Sequence, residues 1–287
     1  NNYEAKLKLG LIDVNEKNFS NAKEKFKELL KIDFKKYEAY LNLANIYSLE
    51  GNVNKANKIL KDFLNKVEGN IDIINTIGIN LLNTKQYNEL EKHINQYIGK
   101  YQSYILYFLN GYLLTKVDKI SDSEKFFKKS INLNPSFWNG YEHLLKQYEK
   151  QTRLKDLENL IFESKKIFKN NIRLYYYESL YFFRVKEFKL SLNILIDKKL
   201  KNEFIYNQND HDLADYYHLL SRVYEKLGFY NESYGLAIKR NKTILNFKEN
   251  KKFNKDLILN TISIYKNFFS KQNNPISNTE YDGINHS

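Results

Sequence analysis

Residues of matching type recur every 34 positions. Leu9-Gly10, Leu43-Ala44 and Ile77-Gly78 occupy one slot in three successive stretches, and Phe19/Ala22/Phe26, Val53/Ala56/Leu60 and Tyr87/Leu90/Ile94 follow at identical offsets. Within each stretch the apolar residues fall at i, i+3, i+4 and i+7, the helical period, and turn chemistry such as Gly51-Asn52 stands at the midpoint. Each period therefore reads as a pair of antiparallel helices. One such pair cannot bury its own apolar face, so the chain must stack its pairs along an array.

A large-small pair, an aromatic or aliphatic residue, a small residue and a further apolar residue, at a period of 34, resemble the tetratricopeptide signature. The period continues downstream. A fourth unit carries Asn110-Gly111, Leu114, Ser123, Phe127 and Pro135; a fifth starts at Trp138 with Leu144-Leu145, Tyr148 and Leu157; a sixth starts near Ile172 with Phe182, Phe188, Ser191 and Leu195. The stretch from Lys201 to His211, KNEFIYNQNDH, then exceeds the period, and it is expected to be absorbed as a loop on one face. A seventh unit resumes at Ala214 with Tyr217, Leu220-Ser221, Tyr224, Ser233 and Ala237. The expected fold is all-α: a right-handed tetratricopeptide (TPR) solenoid of about seven repeats, with units starting near residues 3, 37, 71, 104, 138, 172 and 214. The array is expected over 1–247, a C-terminal capping helix over 248–271, and a linker over 272–287. The cap rests on Leu257, Ile258, Ile262, Tyr265, Phe268 and Phe269, an amphipathic pattern stopped before Pro275.

Composition excludes several function classes. The 287 residues contain no cysteine, which removes disulfides, cysteine zinc sites and thiol nucleophiles. They contain no methionine either, so Asn1 is expected to be a processed or cut end. No apolar run nears the roughly 20 residues of a membrane span, and no signal peptide is visible; the expectation is a cytoplasmic chain. The net charge of +12 invites a nucleic-acid reading. Lys23, Lys25, Lys27, Lys55, Lys58, Lys61 and Lys128 lie on second helices among Glu24, Glu28, Asp62 and Glu124, however, the pattern of a solvated outer face. A denser cluster, Lys239, Arg240, Lys242, Lys248, Lys251, Lys252 and Lys255, suits an acidic partner or an attached domain. No phosphate-cradling, dinucleotide-binding, metalloprotease or serine-hydrolase motif occurs, and the five histidines are scattered. No catalytic, cofactor or metal residue is assigned.

The first helix of each unit supplies the inner surface. Its candidates are Leu7, Leu11, Leu41, Asn42, Asn45, Asn75 and Ile79, then Tyr112, His143, Lys146, Arg173, Tyr176, Tyr177, Arg184, His218 and Arg222. Amides bond a peptide backbone and basic groups bind acidic side chains, so the expected ligand is a protein or an extended acidic peptide. For any one tyrosine, packing between units is the more economical reading. TPR domains that grip a C-terminal carboxylate use a clamp of Lys and Asn, then Asn, then Lys and Arg. Here the positions hold Leu7 and Leu11, Asn42, and Asp72 and Thr76, so no clamp is expected.

The repeats, the stretch Lys239–Lys242, the segment IYKNFFSK (264–271) and the tail NTEYDGINHS (278–287) together are similar to the N-terminal part of bacterial TPR sulfotransferases. The resemblance implies a recruiting arm joined to a transferase domain that binds a phosphosulfate donor, with no catalytic residue of that domain before Ser287. The alternative is a free-standing adaptor for a secretion or envelope assembly; stacking on single-stranded nucleic acid ranks below both.

Overall fold

A computed structural model describes residues 2–245 apart from 68, 207 and 208. The expected capping helix and linker lie outside the described residues. Among those described, fifteen α-helices and no strand are found. They form two compact units, one up to Leu174 and the other from Tyr175.

In the first unit the helices alternate as first and second members of five pairs. They are α1 (Asn2–Asn15) and α2 (Phe19–Ile32), α3 (Tyr37–Leu49) and α4 (Val53–Leu64), α5 (Ile71–Asn83) and α6 (Tyr87–Tyr97), α7 (Tyr104–Lys116) and α8 (Ile120–Leu133), and α9 (Trp138–Lys150) and α10 (Leu154–Ile167). A sixth pair is α11 (Ile172–Arg184) and α12 (Phe188–Leu195); α13 (Lys198–Tyr206) follows, then α14 (Asp210–Lys226) and α15 (Tyr230–Leu245). This is the tetratricopeptide fold.

One turn is used seven times. Lys17, Gly51, Lys85, Asp118, Thr152, Lys186 and Gly228 all have positive φ, the non-glycine residues between 57° and 68°. The next residue donates its N–H to the carbonyl five positions back: Asn18 to Asp13, Asn52 to Tyr47, Gln86 to Leu81, Lys119 to Leu114, Arg153 to Tyr148, Glu187 to Phe182, Phe229 to Tyr224. A left-handed residue followed by this long bond closes a helix C-terminus. Asn18 and Asn52 then cap the second helices by accepting from the N–H three residues on.

The small residues explain how closely the helices stack. A Cβ at Gly10 would lie 2.7 Å from the Phe26 ring, one at Gly111 2.8 Å from Phe127, and one at Gly78 2.6 Å from Leu109 in the next pair. Phe26 and Phe127 are fully buried. In the second unit serine fills both partner slots. Ser179 Oγ donates to the Ser191 carbonyl at 3.1 Å and Ser221 Oγ to the Ser233 carbonyl at 2.9 Å, which satisfies the buried hydroxyls.

The expected loop at 201–211 is instead largely helical. Phe204 of α13 is fully buried and stacks on Tyr216 at 4.8 Å and 14° between planes. Burying a phenylalanine stabilises by roughly 1.5–3 kcal/mol, enough to order a short helix against α14. Asn209 is the N-cap of α14, which starts at Asp210.

Across the second helices, Glu124 of α8 accepts from Arg153 Nη1 at 2.6 Å and from the Tyr148 hydroxyl at 3.0 Å, and pairs with Lys128 at 2.8 Å. Burial raises the Glu124 carboxyl, but these donors outweigh it and bring it to about 2. A depressed carboxyl adds stability above its unfolded value, near 4.3, and loses it as pH falls toward 2. Glu124→Gln should therefore cost about 1–2 kcal/mol at pH 7. Thermal melts of the two proteins should converge as pH approaches 2; a gap that is constant with pH would contradict the assignment.

Candidate functional site

The first helices of the first unit touch in sequence, α1 with α3, α3 with α5 and α5 with α7, and α7 meets α9 through the rings of Phe108 and His143 at 5.3 Å. One position of each helix therefore forms a row: Leu11, Asn45, Ile79, Tyr112 and Lys146. Leu11 is 40 % exposed and Ile79 38 %; Asn45 and Lys146 are exposed and Tyr112 is half-buried. Leu49, exposed on α3, adds to the apolar end. Lys116, Lys146 and Lys150 gather at the other end, all exposed, with the Lys116 ammonium 5.2 Å from the Tyr112 ring centre. Apolar and amide groups thus give way to aromatic and cationic ones along the row.

Other candidates are already engaged. Asn42 donates its side-chain N–H to the Glu38 carbonyl of its own helix at 2.8 Å. Asn75 Oδ1 accepts from the Ser103 hydroxyl at 2.7 Å, fastening α5 to the N-cap of α7. Arg173 contacts Glu142 through Nε and Nη2 at 3.2 and 3.0 Å, and its side chain is 11 % exposed. The guanidinium is therefore paired with a carboxylate within the chain. His143 lies among Phe108, Tyr112 and Phe127, with ring centres at 5.3, 5.5 and 5.1 Å. Burial in this aromatic shell, aided by Lys146, lowers its imidazole to about 4, so it is neutral at pH 7 and serves as a flat packing element.

In the second unit Tyr177 is buried and Tyr176 stands edge-on to it at 5.6 Å, 6.2 Å from Phe204. Arg184, His218 and Arg222 are exposed. Arg222 lies over the Phe183 ring at 5.6 Å, with Nε 3.5 Å from Glu225. Burial, then the neighbouring Arg240 and Arg222, lowers the His218 imidazole. These groups belong to the second unit and the row to the first. The residue the sequence reading passed over is Glu142. Its signal was an acid 31 positions before Arg173, three residues short of the 34-residue period, and nothing in the spacing alone pairs them.

No described helix is long and apolar enough to cross a membrane. No family model matches the sequence, and no curated relative does. Solved structures with the same arrangement include a tetratricopeptide repeat protein from Parabacteroides merdae, 13% identical, with a TM-score of 0.57 over 92% of this chain and 98% of that one. PilF of Pseudomonas aeruginosa is 17% identical, with a TM-score of 0.56 over 71% and 91% of the two chains. PilW, described as a widely conserved type IV pilus biogenesis factor, is 17% identical with a TM-score of 0.51 over 87% and 96%. At these identities the likeness is one of fold.

Proposed function

We propose that the chain is a noncatalytic scaffold whose first five repeats bind an extended peptide along the row from Leu11 to Lys146. The graded row carries this reading: five equivalent positions on touching helices, all accessible, changing from apolar to cationic. Neighbouring helices lie about 10 Å apart and an extended chain advances about 3.3 Å per residue, so about three ligand residues span one repeat. The ligand therefore carries apolar side chains at that spacing at one end and carboxylates at the other, beside Lys116, Lys146 and Lys150. Arg173 takes no part.

The test is fluorescence anisotropy with a labelled twelve-residue peptide of that pattern. Ile79→Asp places a charge opposite apolar side chains, and Lys146→Glu one opposite carboxylates. Each should weaken binding at least about tenfold, whereas Lys58→Glu, at an exposed position of α4, should change it little. Equal losses from all three would mean attraction by net charge alone and would end the reading.

The sulfotransferase-arm reading is kept as the finer form of this proposal. It rests on Lys239–Lys242 and the tail, and it would place the transferase domain after residue 287. The adaptor reading draws on the fold shared with PilW. Both use the same groove and differ in what the scaffold is joined to. Mass spectrometry of the protein isolated from its native cells, read past residue 287, separates them.

A further inference from the structure

The second helix of the sixth pair, α12, has only 8 residues, against 11 to 16 in the other second helices. Its early stop is sealed by the Tyr216 hydroxyl, which donates to the Leu195 carbonyl at 2.8 Å. The chain then turns into α13, and space stays open between α13 and α15 over α14. It is a cleft of about 330 Å³ walled by Tyr217, Leu220, Tyr224 and Leu236. Gly235 forms part of its α15 wall, and a Cβ built there meets nothing within 4 Å.

Charge in the cleft is unevenly placed. Lys201 of α13 and Lys239 of α15 both line it, and neither ammonium pairs with a carboxylate among the described residues. Glu232, the acid lining it, stands seven residues before Lys239 on α15, about 10 Å away along the helix. Lys239 and Glu232 therefore mark opposite ends of the α15 wall, Lys201 lies on the α13 wall, and tyrosine and leucine complete the lining. At the roughly 30 Å³ that a water takes up, the volume suits a ligand of about a dozen non-hydrogen atoms.

We propose that this cleft binds a small apolar monocarboxylate, its chain along Tyr217, Leu220 and Leu236 and its carboxylate between Lys201 and Lys239. Glu232 rejects a second carboxylate at the far end, and an uncharged head forgoes the two ammonium groups. The site uses none of the residues in the peptide row and stands or falls separately from it.

Decanoate, decanol and decanedioate, each titrated calorimetrically into the full chain, test this. Decanoate should bind saturably at one site per chain, and decanol and decanedioate at least about tenfold more weakly. Gly235→Leu fills the cleft without a clash and replaces a helical glycine with a better helix former, so it should abolish decanoate binding with an unchanged or higher Tm. Lys201→Gln and Lys239→Gln should each weaken it several-fold. Absence of decanoate binding by the full chain would overturn the proposal. So would decanol binding equal to decanoate, or decanoate binding that survives Gly235→Leu.

Discussion

Phe127→Ala should destabilise the first unit by about 3–5 kcal/mol, the range for a fully buried phenylalanine truncated to alanine. Phe127 has no exposed surface, fills the space left by Gly111, and lies 5.8 Å from Phe108 and 5.1 Å from His143. It therefore joins α7, α8 and α9 at once. Its removal leaves a cavity that none of the three can close alone, because each is also stacked on a further neighbour. Urea denaturation with hydrogen exchange should show the midpoint falling and protection lost first in α7 to α9, since coupling along a repeat array decays with each interface. A cost below about 1 kcal/mol would mean that the ring is not the junction the geometry describes.

The opposite sign is expected at the turns. Lys17, Lys85, Asp118, Thr152 and Lys186 hold left-handed backbone, which costs a non-glycine residue about 1–2 kcal/mol. Glycine removes that strain but gives back roughly 0.4–1 kcal/mol through the freer unfolded chain. The net gain is therefore about 0.5–1 kcal/mol per turn, largest for β-branched Thr152 and smallest for Asp118, since aspartate tolerates this region. The turns lie in different pairs and share no side-chain partner, so the five replacements should add to roughly 3–5 kcal/mol. Chemical denaturation of the fivefold variant checks this. Unchanged or lowered stability would show that the lysine and threonine side chains contribute more than the strain they impose.

The fold was legible because each seam repeats the same local problem. Gly10, Gly78 and Gly111 are needed wherever a ring or a leucine of a neighbouring helix presses in, so close packing is written into the period. The insertion at 201–211 was not legible. A nine-residue helix shows barely two turns of periodicity, and what orders it is Phe204 on Tyr216, a contact across twelve positions that spacing does not announce. The exposure of the candidate residues was legible only in part. Leu11, Asn45, Ile79 and Lys146 are accessible as their slots require, yet Arg173 and His143 occupy equally inner slots and are consumed by Glu142 and by an aromatic shell. Whether an inner residue faces outward depends on partners one repeat away, which a single helix cannot encode. The cleft beside α13 was invisible for the same reason, since its walls come from three helices, α13, α14 and α15.

That early stop also bears on how such a chain can grow. Tandem duplication lengthens an array without damage only if the inserted copy offers, at both ends, seams its neighbours already fit. The first three pairs meet that condition, because 34-residue steps return the same large-small slots, and the same left-handed turn recurs through all five pairs of the first unit. A copy cut within 188–226 would carry away either the shortened α12 or the Phe204 that plugs onto Tyr216, and would strand the other. Duplicating one of the first three pairs would therefore keep its seams, whereas a cut within 188–226 would break one.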